Sequence, residues 1–262
     1  MAEGTVTTPK GPPIMSAKDI PDKNGVNMYI FAYPKVGKTT FACTAQDSPY
    51  GKDVLLIDCG ADAGVRSISH RDDIDVIQIH EWDQLGKMYD HLLVADHSYR
   101  TIIIDPVSTA QDLARIVVSK DSKTPLAPSY DDWNKLNWMT LTMMRDFKNL
   151  ASERGWNVLF IDWAKEEKDE ATGRLIQRPM VTPSVGQKLG GAVDIIAYMS
   201  IDRDRNRTLD FEPNFLSVTG KRESPVLAGK LPDKLVGVDG VGPTMVEVLE
   251  YVQPLQKAEK RK

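Results

Sequence analysis

From Val26 onward the chain alternates short, mainly apolar runs with stretches of helical spacing. VNMYIFA (26–32), VLLID (54–58), IDVIQI (74–79), TIIID (101–105) and WNVLFID (156–162) read as strands, with VLLID, IDVIQI and the isoleucines of TIIID of the kind found in buried parallel strands. Between them GKTTFACTA (37–45), WDQLGKMYDHLLVA (82–95), residues 107–118 and the long stretch 131–155 carry helical periodicity. Asp131 or Asp132 is placed to cap the last of these, and Gly155 to stop it. Residues 119–130, with two prolines, read as a surface insertion. AKEEKDEATGRLIQRPMV (164–181) reads as a polar hairpin turning at Ala171-Thr172-Gly173, and 193–202 and 214–220 as further strands. From Ser224 short helices and a basic tail are expected.

This order predicts an α/β fold, a mainly parallel sheet with helices on both faces and antiparallel strands added late. The expected organisation is a loose arm over 1–24, where four prolines interrupt any period, a core over 25–223, and a C-terminal piece over 224–262.

Composition narrows the setting. A 41% hydrophobic, 27% charged chain is ordinarily globular, and no apolar run approaches the roughly 20 residues of a membrane span. The N-terminus lacks the basic-then-apolar pattern of a secretory signal. Two cysteines, Cys43 and Cys59, are too few for a disulfide framework, so a cytoplasmic location is expected. Four scattered histidines show no metal-ligand spacing. A net charge of −4 gives no global pull toward nucleic acid, which would have to be met by a local patch.

The strongest chemical signal is Ala32-Tyr33-Pro34-Lys35-Val36-Gly37-Lys38-Thr39, a phosphate-loop pattern in which alanine replaces the first glycine. It lies between a strand and a helix, as the chemistry requires. Loop amides and the helix N-terminus face phosphates, Gly37 allows close backbone approach, Lys38 reaches the β- and γ-phosphates, and Thr39 with Thr40 opens the helix. Thr39 and a strand-end acid would hold magnesium. Asp105, after three isoleucines, is the first choice for that acid, and Asp58 is its rival. The cofactors expected are therefore ATP and Mg2+.

The stretch DVIQIHEWDQLGKMYDHLLVADHSYRTIIIDPVSTAQDL, followed later by TGKRESPVLAGKLPDKL, resembles phage-encoded RecA-like ATPases of the short single-strand annealing and recombination type, over roughly residues 26–236. The resemblance implies a RecA-like core, ATP lying between subunits of a ring or filament, and single-stranded DNA as partner. It places Lys221 and Arg222 where such proteins reach a neighbour's γ-phosphate, the plain alternative being a solvated basic turn. Two departures stand out. Gly60 occupies the place of a water-orienting Glu, with Asp62 nearby, and Trp163 follows LFID where a polar phosphate sensor is usual. Tryptophan cannot accept a hydrogen bond from water. Weak intrinsic hydrolysis is the expectation.

For DNA contact the hairpin region offers Lys165, Lys168, Arg174, Arg178 and Lys188 against Glu166, Glu167, Asp169 and Glu170, a thin basic excess. Residues 235–252 resemble the second half of a helix-hairpin-helix, with amides of Gly240, Val241 and Gly242 facing phosphate and Pro243 at the first helical position. The plain alternative is a Gly-Pro helix start packing Val246 and Leu249 into the core. The basic tail adds Lys257, Lys260, Arg261 and Lys262. The reading is an ATP-binding protein acting on single-stranded DNA in recombination or annealing. Its alternatives are a loader or accessory of a replication helicase, working with replication or single-strand-binding proteins, and a nucleotide-gated assembly module that does not hydrolyse. A small-molecule kinase lacks its arginine-rich lid here.

Overall fold

A computed structural model describes residues 25–60, 64–123, 127–170, 172–213, 217–221, 231–238 and 240–252. The elements run β1 (Asn27–Ala32), α1 (Lys38–Cys43), β2 (Val54–Asp58), β3 (Asp75–Gln78), α2 (Trp82–Val94), β4 (Thr101–Asp105), α3 (Val107–Asp121), α4 (Tyr130–Arg154) and β5 (Asn157–Lys168). There follow β6 (Leu175–Pro179), α5 (Pro183–Ala192), β7 (Ile195–Ile201), β8 (Arg207–Asp210), β9 (Gly220–Lys221), β10 (Lys234–Val236) and α6 (Met245–Val252).

One sheet carries the strands in the order β10-β8-β7-β1-β5-β4-β2-β3. From β7 to β3 every neighbouring pair is parallel, whereas β8 and β10 extend the β7 side antiparallel and β6 and β9 pair antiparallel with β5 and β7. The fold is thus an α/β sandwich with a mostly parallel sheet, consistent with a RecA-like NTPase core.

Alternation along each strand divides the core in two. Met28, Ile30, Leu56, Ile103, Leu159 and Ile161 pack on one face with Phe41 and Ala42 of α1 and Val248 and Leu249 of α6. Tyr29, Phe31, Ile57, Ile102, Ile104, Val158 and Phe160 pack on the other with α2, α4 and α5 through Leu85, Met143, Phe147 and Leu189. Because side chains alternate, Asp58, Asp105 and Trp163, each two residues beyond a member of the first set, belong to the face of α1, while Asp162 belongs to the opposite face.

Several expectations shift. The long helix begins at Tyr130, and its cap is Ser129, whose hydroxyl accepts from the Asp132 amide at 3.2 Å while the Asp132 carboxylate accepts the Ser129 amide at 2.8 Å. Gly155 ends it in the left-handed region, φ 72°. The third helix runs on to Asp121, into the stretch read as an insertion. Helix α5 and strand β8 are additional to the predicted elements. Of 214–220, residues 214–216 lie outside the described residues and only Gly220 joins a strand. The expected arm, 1–24, and the basic tail also lie outside them.

The C-terminal piece is built into the same sheet, so the boundary drawn at 223/224 falls within one folded unit. β10 pairs with β8, and Leu231, Leu235, Met245 and Val252 join the α1-side core. The amide of Met245, first residue of α6, donates to Thr44 Oγ1 at 2.7 Å, docking this helix on the end of α1.

Candidate functional site

The carboxyl ends of β1, β4 and β2 open into a cleft of about 470 Å3 lined by the phosphate loop, Asp58, Asp105, Trp163 and Arg207, among others. Ligands of open α/β sheets bind in this position, outside the carboxyl ends of the strands.

The loop's two left-handed residues are Lys35, φ 67°, and Gly37, φ 110°. Ala32, by contrast, is the last residue of β1, fully buried and paired with Trp163 across β5. Its backbone is that of a strand, and a Cβ costs nothing there, which explains physically why alanine stands where the common pattern has glycine. Tyr33, Pro34 and Lys35 are exposed, Val36 is buried against the core, and Thr40 is exposed with its hydroxyl 3.5 Å from Ser67 Oγ. The first α1 amide to find a carbonyl is that of Phe41, to Gly37 at 2.9 Å, so the preceding amides sit at the open end of the helix.

Lys38 is buried, its ammonium donating to the carbonyls of Ala32 (3.0 Å) and Tyr33 (3.1 Å). Burial lowers its pKa below the usual lysine value, and Asp105 and Asp162 oppose that. Thr39 Oγ1 donates to Asp105 Oδ2 at 2.6 Å. Asp58 lies beside Asp105 in register, its carboxylate accepting from the Gly60 amide (3.1 Å) and Gln78 Nε2 (3.4 Å). Removal from water raises the Asp105 carboxyl to about 6, the neighbouring Asp58 and Asp162 adding to the rise and the Thr39 hydroxyl and Lys38 opposing it.

The donor set fits a magnesium-nucleotide group. A hydroxyl and a carboxylate 2.6 Å apart, with a second carboxylate beside them, are hard oxygen ligands of the kind magnesium takes. Gly64 keeps the space next to them clear: a Cβ there would lie 3.4 Å from Thr39 Oγ1 and 3.8 Å from Asp105 Oδ2. When bound, the ion would neutralise charge on the phosphates.

Behind the cleft, Asp162 is fully buried on the other face of the sheet. It accepts from Tyr29 Oη (2.7 Å), the Ser108 amide (3.1 Å) and the Met180 amide (3.1 Å). Burial raises its pKa, and the Ser108 and Tyr29 hydrogen bonds oppose the rise.

The other expected site residues are dispersed. Lys221 is held in its own chain by Glu212 (3.0 Å), Asp233 (2.9 Å) and the Leu231 carbonyl (2.9 Å), so reaching a neighbour would require it to leave two carboxylates. Asp62 and Arg222 lie outside the described residues. Lys165 and Lys168 lie on β5, Arg178 on β6, Arg174 just before β6, and Lys188 on α5. Lys165 donates to the Val181 carbonyl at 3.3 Å and Arg178 pairs with Glu167 at 3.1 Å. The helix-hairpin-helix expectation is corrected: the segment before Gly240 is strand β10, and Pro243 lies outside the helix. Thr244 and Glu247 form the start, the Glu247 carboxylate accepting the Thr244 amide at 2.7 Å, and Leu249 packs into the core while Val246 is half-buried. Gly242 lies half-buried against the Arg207 side chain, and Gly240 makes an outer turn, φ 82°.

Arg207 itself escaped the sequence reading. Its signal was the alternation Arg207-Thr-Leu209-Asp-Phe211, with both apolar residues in the α1-side core.

A phosphate loop between a strand and a helix, a hydroxyl–carboxylate pair at its end and a mostly parallel α/β sheet define a P-loop NTPase. A family model described as an AAA domain matches residues 24–223, and the chain belongs to that family of P-loop ATPases. The family generally uses ATP with magnesium. No curated protein matches the chain. Among the described residues no helix is long and apolar enough to cross a membrane.

Proposed function

We propose that this protein is a RecA-like magnesium-ATPase that acts on single-stranded DNA, promoting annealing or strand exchange as a ring or filament, with slow intrinsic hydrolysis. Lys38 and the loop amides hold the polyphosphate, and Thr39 and Asp105 hold the ion. Asp58, which lines the same cleft, is the carboxylate placed to orient water in a strand end that has Gly60 instead of a glutamate.

The observation that carries the DNA reading is the link between cleft and hairpin. β5 runs without a break from Trp163, beside the phosphate loop, into the antiparallel hairpin with β6 that bears Lys165, Lys168 and Arg178. The contact is reinforced across the loop. The Glu166 carboxyl is held below its usual range by the Gln177 amide and the Tyr33 hydroxyl, tying a phosphate-loop residue to the hairpin. A change in loop position on nucleotide binding therefore bears on a hairpin in which Lys165, Lys168, Arg174 and Arg178 are matched by Glu166, Glu167, Asp169 and Glu170, and this contact is the route by which the two sites would be coupled.

Phosphate release by purified protein tests this. Slow release alone, faster release with single-stranded DNA, and none from Lys38→Ala in either condition are expected. Nucleotide binding without release in any condition favours the gated assembly module, for which Gly60 and Trp163 are the observations. A DNA-free turnover above roughly tens per minute would contradict slow intrinsic hydrolysis.

A further inference from the structure

Arg207 opens β8, on the antiparallel side of the sheet, yet its side chain reaches the phosphate loop. Its Nε donates to the Val36 carbonyl at 2.9 Å. The stem runs between two glycines distant in sequence. A Cβ at Gly37 would lie 3.3 Å from Arg207 Nε and 3.7 Å from its Cδ. A Cβ at Gly242 would lie 3.0 Å from Cδ and 3.4 Å from the Arg207 Cβ. The Arg207 carbonyl accepts the Gly237 amide at 2.8 Å, fixing the backbone from which the side chain departs. The phosphate loop, β8 and the chain at Gly237 and Gly242 thus position one guanidinium.

That guanidinium lines the cleft together with Lys38 and Thr39. Among the described residues its hydrogen bonds end with Nε to Val36, and no carboxylate forms an ion pair with it. Arginine carries five N–H donors in a planar fork, so the Nε contact leaves both terminal nitrogens to donate elsewhere. Other arginines of this chain, such as Arg71 with Asp47 and Asp73, are neutralised by carboxylates at 2.7 Å. Two cations, Arg207 and Lys38, thus line one cleft, an arrangement suited to an anion with several oxygens. A planar fork suits phosphate oxygens.

We infer that Arg207 is a nucleotide-binding residue in cis, contributing a second cation beside Lys38 to the polyphosphate of a nucleoside di- or triphosphate. The inference rests on the cleft being the nucleotide site. It also gives the Gly-Val-Gly turn at 240–242 a purpose, since Gly242 makes room for the arginine stem, and it joins the C-terminal piece to the nucleotide.

Equilibrium titration with fluorescent ADP, AMP and adenosine, with magnesium present, tests the inference without relying on turnover. Arg207→Ala is expected to weaken ADP binding about 10–100-fold, the range of a lost hydrogen-bonded charge contact, with little change for adenosine. Arg207→Lys should recover part of the loss, and added guanidinium ion should partly rescue Arg207→Ala. Gly242→Ala keeps the charge but crowds the stem, and should weaken ADP binding less than Arg207→Ala does. Unchanged ADP affinity in Arg207→Ala, beside a wild type that binds normally, overturns the role of Arg207 alone. So does an equal loss for ADP and adenosine accompanied by a fall in melting temperature, which would mark a merely structural residue. A wild type that binds no nucleotide overturns the reading of the cleft itself.

Discussion

Asp105→Asn is expected to weaken magnesium-dependent nucleotide binding by about 10–100-fold while making the unliganded protein more stable at neutral pH. Both effects come from one buried carboxyl. Its pKa stands at about 6 in the folded chain, against 3.8 ordinarily, chiefly because the surrounding protein keeps water from it. A carboxyl raised on folding binds a proton more readily in the native state. Its favourable contribution is therefore fully present below about pH 4, the unfolded value, and is lost as pH rises through about 6. At pH 8 the native state carries the cost of an ionised, poorly hydrated group, on the order of 2–3 kcal/mol at the usual value per pKa unit. Asparagine removes that charge and still accepts the Thr39 hydroxyl through its amide oxygen. Thermal melts of wild type and variant at pH 8 and pH 5 should show the variant ahead at pH 8, with the gap narrowing at pH 5. Wild-type magnesium-nucleotide affinity should itself decline as pH falls through about 6, where the carboxylate takes up a proton. A variant that melts below wild type at pH 8, or keeps its magnesium response, would rule out this account of the pair.

Where burial is continuous, the chain announces its fold. Ile102–Ile104 and Met28–Ala32 are apolar on both faces because a parallel sheet under two helical layers has no wet side, so these strands and the loop between β1 and α1 could be read directly. The parity of the strands even places Asp58 and Asp105 on the face of α1. Other elements depend on contacts that local patterns do not carry. Helix α5 contains Gly186, Gly190 and Gly191, poor helix formers, and it exists because Val185 and Leu189, one turn apart, bury against the α2–α4 side of the sheet. Strand β10 is three residues long and is fixed by pairing with β8 rather than by its own period. Arg207 could not be assigned to the phosphate loop from sequence, because 171 residues separate it from Val36 and the strand that delivers it is only four residues long. Lys221 shows the converse: a basic pair reads as available in a string of letters, whereas folding places Glu212 and Asp233 around its ammonium.

Asp162→Ala is expected to be the most destabilising single change at the site, by about 3–5 kcal/mol, even though the residue touches no part of the cleft. Three donors converge on its carboxylate: Tyr29 from the strand before the phosphate loop, the Ser108 amide in the first turn of α3, and the Met180 amide just after β6. Alanine leaves the Tyr29 hydroxyl and the Ser108 amide facing protein without this acceptor, and an unmet buried donor costs about 1–3 kcal/mol each, whereas the Met180 amide keeps the Trp163 carbonyl at 2.8 Å. The Tyr29 hydroxyl can turn, but the Ser108 amide is fixed by the backbone. Asp162→Asn offers one oxygen where the carboxylate offers two, so one N–H meets an N–H, and an intermediate loss is expected. The two amides also belong to segments that flank the nucleotide cleft and the hairpin, so the effect should be local before it is global. In Asp162→Ala, hydrogen exchange should accelerate first at Ser108, with denaturant unfolding giving the overall loss. Near-wild-type stability, or exchange that rises evenly over the sheet, would mean that the Tyr29 hydroxyl and the Ser108 amide find other acceptors and that Asp162 does not tie the phosphate-loop strand to α3 and the hairpin.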